Sequence, residues 1–204
     1  MLSGASCIIL WKRRRPARMP GQQAARTQRK ETMRAVLCFF LLLTTLLCAP
    51  AYPADIEASF SPRGKSLELV LSTIQNARES IRVAAYSFTS RPLAEALLAA
   101  HKRGVDVKVV ADQKANSSRY TAVTFLANQG VPVRLNSRYA IHHHKFMVID
   151  GRHIKTGSFN YSAAAASKNA ENVLVVRNEP KLAAQYAKEW ERLWNEGRDV
   201  EKGY

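Results

Sequence analysis

The chain has 204 residues, room for one domain plus a tail, and carries 31 Lys+Arg against 16 Asp+Glu, a formal net charge of +15. That balance favours polyanionic partners such as nucleic acid or an anionic membrane surface. Its three cysteines, Cys7, Cys38 and Cys48, all precede Ala51, so the rest of the chain excludes a disulfide framework and suits an oxidising compartment.

Residues 1–32 hold Lys12, Arg13, Arg14, Arg15, Pro16 and Pro20 without helical or strand period, and read as disordered. After Met33-Arg34, the stretch Ala35–Cys48 is almost wholly apolar and runs into Ala49-Pro50-Ala51. A short basic segment, an apolar core and a small-x-small site are the layout of a secretory signal peptide. The core of about 14 residues is shorter than the roughly 20 a membrane-spanning helix needs. The expectation is a start at Met33, residues 1–51 as basic extension plus signal peptide cleaved near Ala51, and a periplasmic or secreted single domain over 52–204. A retained membrane anchor is the alternative. Removing residues 1–51 takes away nine Lys/Arg and one Asp/Glu, leaving 22 against 15, a net charge of +7.

From there strands and helices alternate. Ala58–Ser61 reads as a short strand, and Ser66–Arg78 has helical spacing through Leu67, Val70, Leu71 and Ile74. Ile81–Phe88 reads as a buried strand, Arg91–Arg103 as a helix ended by Gly104, and Val105–Ala111 as a strand. A helix over about Tyr120–Asn128 closes at Gly130, and Val131–Leu135 is a further strand. Glu171–Val176 is a strand, and Lys181–Asn195 an amphipathic helix carrying Trp190 and Trp194. No repeat, Gly-rich phosphate loop or dinucleotide fingerprint is present. The pattern predicts an α/β fold, a mixed β-sheet flanked by helices on both faces.

The stretch from His142 to Ser162 carries the chemistry. It contains His143-x-Lys145, Asp150 after four further residues, and Gly157-Ser158-x-Asn160 after six more. Asp150-Gly151 between apolar runs is a hairpin signal, predicting strands over roughly His143–Ile149 and Arg152–Ser158. A two-residue turn sets Lys145 opposite Thr156 and His143 opposite Ser158, which gathers an imidazole, an ammonium and two hydroxyls on one face. Such a set suits a phosphoryl group. A second His-x-Lys, at His153 and Lys155, falls on the opposite face in that register.

Other readings of these residues stand beside this one. Asp150 serves the turn in any case, and Ser158, Asn160 or Ser162 are candidate caps for a short helix over Ala163–Ala166. Three consecutive histidines suggest a metal, but on a strand His143 points away from His142 and His144, and no cysteine or carboxylate lies at ligand spacing nearby. No metal or other cofactor is expected.

The pattern His143-x-Lys145-(four)-Asp150-(six)-Gly157-Ser158-x-Asn160 resembles the signature of the phospholipase D superfamily, in a single-motif form similar to its bacterial periplasmic endonucleases. The likeness extends to Val83–Thr89, Arg103–Val109, Lys168–Asn172 and Trp194–Asp199, and covers about residues 57 to 200. It implies a phospholipase D/nuclease-like fold and a phosphodiesterase in which His143 attacks phosphorus while Lys145, Ser158 and Asn160 bind the phosphate. Glu171 is implied as the group that orients His143, and Asp150 as a structural or electrostatic acid. Members pair two motifs, so one motif implies a homodimer with the active site on the two-fold axis. Nucleic acid is the implied substrate, and phosphatidyl lipid or cardiolipin the alternative. A non-catalytic nucleic-acid-binding module is a third reading, opposed by the complete residue set.

Overall fold

The computed structural model describes residues 25, 28–37, 53–118 and 121–200. The chain divides into two compact units, Met1–Ala51 and Tyr52–Tyr204. In the first, residues 28–37 form an exposed helix, α1, where the sequence suggested disorder through residue 32. The run Arg29-Lys-Glu-Thr-Met-Arg-Ala35 is rich in helix formers, and Glu31 and Arg34 pair one turn apart. Helix propensity decided where apolar periodicity was lacking. Most of the apolar stretch up to Cys48 and the cleavage point near Ala51 lie outside the described residues. Among the described residues no helix is long and apolar enough to cross a membrane.

The second unit runs β1 (Asp55–Ser61), α2 (Ser66–Gln75), β2 (Ser80–Ala85), α3 (Arg91–Lys102), β3 (Asp106–Asp112), α4 (Ala122–Asn128), β4 (Val133–Asn136), β5 (Lys145–Ile149), β6 (His153–Thr156), α5 (Ala163–Ser167), β7 (Glu171–Arg177), α6 (Pro180–Glu196) and β8 (Arg198–Asp199). The eight strands form one sheet in the order β1-β7-β6-β5-β2-β3-β4-β8. Strands β2, β3 and β4 are parallel, joined through α3 and α4, and the remaining pairs are antiparallel. Each element expected from the sequence is present, its ends moved by up to three residues.

Side chains alternate between the faces as the pleat requires. Ile81, Val83, Val107, Val109, Met147, Ile149, Val173 and Val175 enter the main core beneath α2, α3 and α4. Ala84, Val110, Phe146, Val148, Ile154 and Val176 pack on the other face against Ala183, Trp190 and Leu193 of α6. Burial on both faces explains the consecutive apolar residues Val83–Ala85 of β2, Val109–Ala111 of β3 and Phe146–Ile149 of β5. Helix α6 is pinned by the Trp190 indole, which donates to Val83 O at 2.8 Å. Arg82 and Arg134 lie over the rings of Trp190 and Trp194, at 5.5 and 4.6 Å from the centroids.

The central hairpin departs from expectation by one residue. Asp150 and Gly151 do form the turn, both at positive φ, with Arg152 N donating to Ile149 O at 3.1 Å. Arg152 is then left outside the ladder, and pairing resumes with Ile149 opposite His153 and Met147 opposite Lys155. The turn's polar groups are claimed from both sides. The Asp150 carboxylate takes the amides before β2, and Arg152 O accepts from Glu179 N at 2.9 Å. A slip of one residue exchanges faces. Thr156 therefore leaves the Lys145 face for the α6 face, and Lys155, expected on the far face, lies on the Lys145 side.

Candidate active site

The carboxyl ends of β2, β3 and β4, the amino ends of β5 and β7 and the carboxyl end of β6 all meet at one edge of the sheet. Open α/β sheets place ligands at this edge, where loops gather without blocking one another. His143 stands there, exposed, just before β5. Its ring lies 4.7 Å from the ring of Tyr86, at the end of β2, centroid to centroid. Partial burial lowers the His143 pKa below the ordinary histidine value, Lys145 and His144 add to that, and Asp112 opposes it. A neutral imidazole at neutral pH is the nucleophilic form.

Lys145 opens β5 and is 7% exposed. Its Nζ donates to His143 O at 2.8 Å and lies 5.0 Å from the Tyr86 ring centroid. Burial lowers its pKa, and the nearby charge of Glu171 works the other way. The ammonium is thus tied to the backbone of His143. Glu171 starts β7, half-buried, and its carboxylate accepts from Asn169 Nδ2 at 3.1 Å. Its described partners are Asn169 and, through charge, Lys145 and Lys155.

Ser158 is exposed, and its Oγ accepts from Asn172 N at 3.0 Å and Asn172 Nδ2 at 3.3 Å. Those bonds hold the oxygen and leave its O–H to donate outward. The approach depends on Gly157, whose φ is 131° and where an added Cβ would lie 2.3 Å from Asn172 O. Gly157→Ala is expected to cost about 1–3 kcal/mol of stability from the clash and the backbone strain, read as a lowered melting temperature. Asn160 is half-buried, and its Oδ1 makes no hydrogen bond among the described residues. Ser162, not Ser158 or Asn160, caps α5, accepting from Ala165 N at 3.2 Å.

Asp150 is at the opposite edge of the sheet from this cluster, at the far end of β5. Its carboxylate accepts from the amides of Arg78, Glu79 and Ser80 at 2.8–3.2 Å. Burial works to raise its pKa, but the three amides outweigh it and hold the carboxyl below its ordinary value.

Sequence reasoning missed several contributors. Buried Asp112 accepts from Ala115 N and from His142 N, both at 2.7 Å. Buried Asn116 accepts from Phe88 N and donates to Tyr86 O and Asp112 O. Together they tie the loops after β2 and β3 to the segment leading into β5 that carries His143. The only signal was a polar loop, Asp112–Arg119, that matches no motif. His142 is buried and its pKa is pushed down to about 4, first by burial and then by His144. Its ring pairs edge-on with that of His144, and the His144 Nε2 lies 3.4 Å from Glu189. The His142 and His144 rings thus pair with each other, whereas that of His143 lies against Tyr86.

Residues 70–194 match the family described as cardiolipin synthase, PLD-like domain. The chain is 36% identical over 148 residues to mitochondrial cardiolipin hydrolase of Danio rerio, which covers 72% of this chain and 62% of that protein, less than two thirds of its length. It is 33% identical over 137 residues to phospholipase D of Rickettsia bellii (strain RML369-C), covering 67% of this chain and 68% of that one. Among solved structures, the phospholipase D family member Nuc from Salmonella typhimurium is 44% identical, with a TM-score of 0.71, over 72% of this chain and 99% of that chain.

Proposed function

The chain belongs to the phospholipase D superfamily, a superfamily of phosphodiesterase hydrolases, and from that premise we propose that it is a metal-independent endonuclease cleaving DNA or RNA through a phosphohistidine at His143. The observation that carries the reading is the meeting of His143, Lys145, Ser158 and Asn160 at one sheet edge. A ring nitrogen of His143 attacks phosphorus, forming an N–P bond as the P–O bond to the leaving alkoxide breaks. Lys145 and the polar groups of Ser158 and Asn160 offset charge on the phosphoryl oxygens, and donors so placed contribute roughly 3–4 kcal/mol each at best. The leaving oxygen needs a proton from the far side of phosphorus, in line with the attack. In a C2 homodimer the second copy's imidazole supplies it. That imidazole then takes a proton from water, which attacks phosphorus and breaks the N–P bond.

Nucleic acid is favoured by the +7 charge of residues 52–204. It is also favoured by α6, whose tryptophan-bearing side is spent on the sheet and is not free to enter a lipid interface. Phosphatidyl lipid is the second reading, supported by the exposed Ile141 beside the histidines and by the names of the curated relatives. Export through the apolar segment, with a mature start near Tyr52, belongs to the same proposal. Supercoiled plasmid DNA and cardiolipin vesicles, each incubated with residues 52–204 in excess EDTA, separate the readings. Nicking of plasmid without lipid turnover is expected. Lipid turnover alone would transfer the assignment to the second reading, and activity restored only by added metal would overturn the mechanism.

A further inference from the structure

Lys155 of β6 is fully buried, with 0% exposure, on the face of the sheet that carries Lys145. Its Nζ donates to Lys145 O at 3.2 Å and to Phe159 O at 3.3 Å. The amine lies 4.7 Å from the ring centroid of Tyr161 and 5.6 Å from that of Phe159. No ion pair holds it among the described residues. A lysine in the core is costly unless its amine is satisfied, and an apolar residue would fill the space at less cost.

Its two carbonyl partners are informative. One belongs to Lys145 at the start of β5, two residues after His143, the other to the segment bearing Ser158 and Asn160. Resting on the phosphodiesterase reading, we propose that Lys155 is a positioning residue that clasps the two sides of the phosphate cradle, its charge state linked to the presence of an anion between them. The charged groups acting on it are Lys145 of β5 and Glu171 of β7. Tyr161, from the segment after β6, faces it with a buried phenol whose pKa is pushed far up, so the phenol stays neutral. Burial, and then repulsion by Lys145, lower the Lys155 pKa to about 7, with Glu171 opposing.

The sign of the linkage follows. An anion in the cradle favours the ammonium and raises the Lys155 pKa. By reciprocity the anion binds more tightly below the free-state pKa, and more weakly as pH rises through it. Inorganic sulfate is a suitable probe, because it is a tetrahedral dianion whose charge is constant across the neutral range. In wild-type protein labelled with carbon-13 at the lysine ε positions, the Lys155 midpoint is expected to rise by about one unit in saturating sulfate, while the Lys145 signal reports occupancy. Lys155→Met fills the same space without charge. It should remove the pH dependence of sulfate affinity near neutrality and lower kcat on bis(p-nitrophenyl) phosphate about tenfold, with KM less affected. A Lys145 response with a fixed Lys155 midpoint would overturn this inference alone. No response of either lysine at any sulfate concentration would overturn the cradle itself and this inference with it. A Lys155→Met enzyme with unchanged kcat and unchanged pH dependence would also overturn it, and should that variant fail to fold, the wild-type titration decides.

Discussion

His143→Ala is expected to lower turnover of any phosphodiester substrate by roughly 10⁴-fold or more, the scale seen when a covalent nucleophile is removed. The side chain is exposed and its ring contact is with Tyr86, so the melting temperature should hardly move. His153→Ala is the control. That ring accepts from Asn178 N at 3.1 Å near the far edge of the sheet, and activity should stay near wild type. Because the His143 pKa lies below the ordinary value of about 6.5, the neutral attacking ring should persist into mildly acidic solution. The copy that protonates the leaving oxygen needs acid, so turnover should fall on both sides of an optimum below neutrality. Mixing His143→Ala chains with wild type tests the proposed dimer. Mixed dimers hold one imidazole per site and cannot complete the cycle, so activity should follow the square of the wild-type fraction. A linear dependence would show that one chain carries the whole site.

Much of this site was legible because its chemistry is local in sequence. His143, Lys145, Ser158 and Asn160 sit within eighteen positions of one another, and a strand-turn-strand reading brings them together whether or not its details hold. Register was the part that failed. Asp150-Gly151 announces a two-residue turn, and only tertiary contacts, the amides of residues 78–80 on one side and Glu179 N on the other, push Arg152 out of the ladder. Lys155 was set aside for the same reason, since a one-residue slip exchanges the faces of β6. Asp112 and Asn116 were illegible because their partners, Phe88, Tyr86 and His142, are distant in sequence and bonded mainly through backbone atoms that no motif records.

Asp150→Asn is expected to be strongly destabilising, costing about 2–4 kcal/mol, because the bonds to three amides lose their charge and an NH₂ group replaces the second oxygen, which accepts from Arg78 N. Asn tolerates the positive φ of 53° that Asp150 adopts, so the loss isolates the carboxylate. Asp150→Ala should cost a further ~1 kcal/mol from the left-handed backbone. Burial and the amides pull the Asp150 pKa in opposite directions and the amides prevail, leaving the folded-state value depressed. A depressed carboxyl stabilises the fold above its unfolded pKa, about 3.9, and that contribution is lost as pH falls through the lower folded value. Wild type should therefore lose stability steeply in acid, while Asp150→Asn starts lower and falls less over the same range. At temperatures where both proteins are folded, kcat should be close to wild type, because the carboxylate lies at the sheet edge opposite His143. A large drop in kcat with no change in melting temperature would instead place Asp150 in the chemistry and contradict the structural role its three amide partners define.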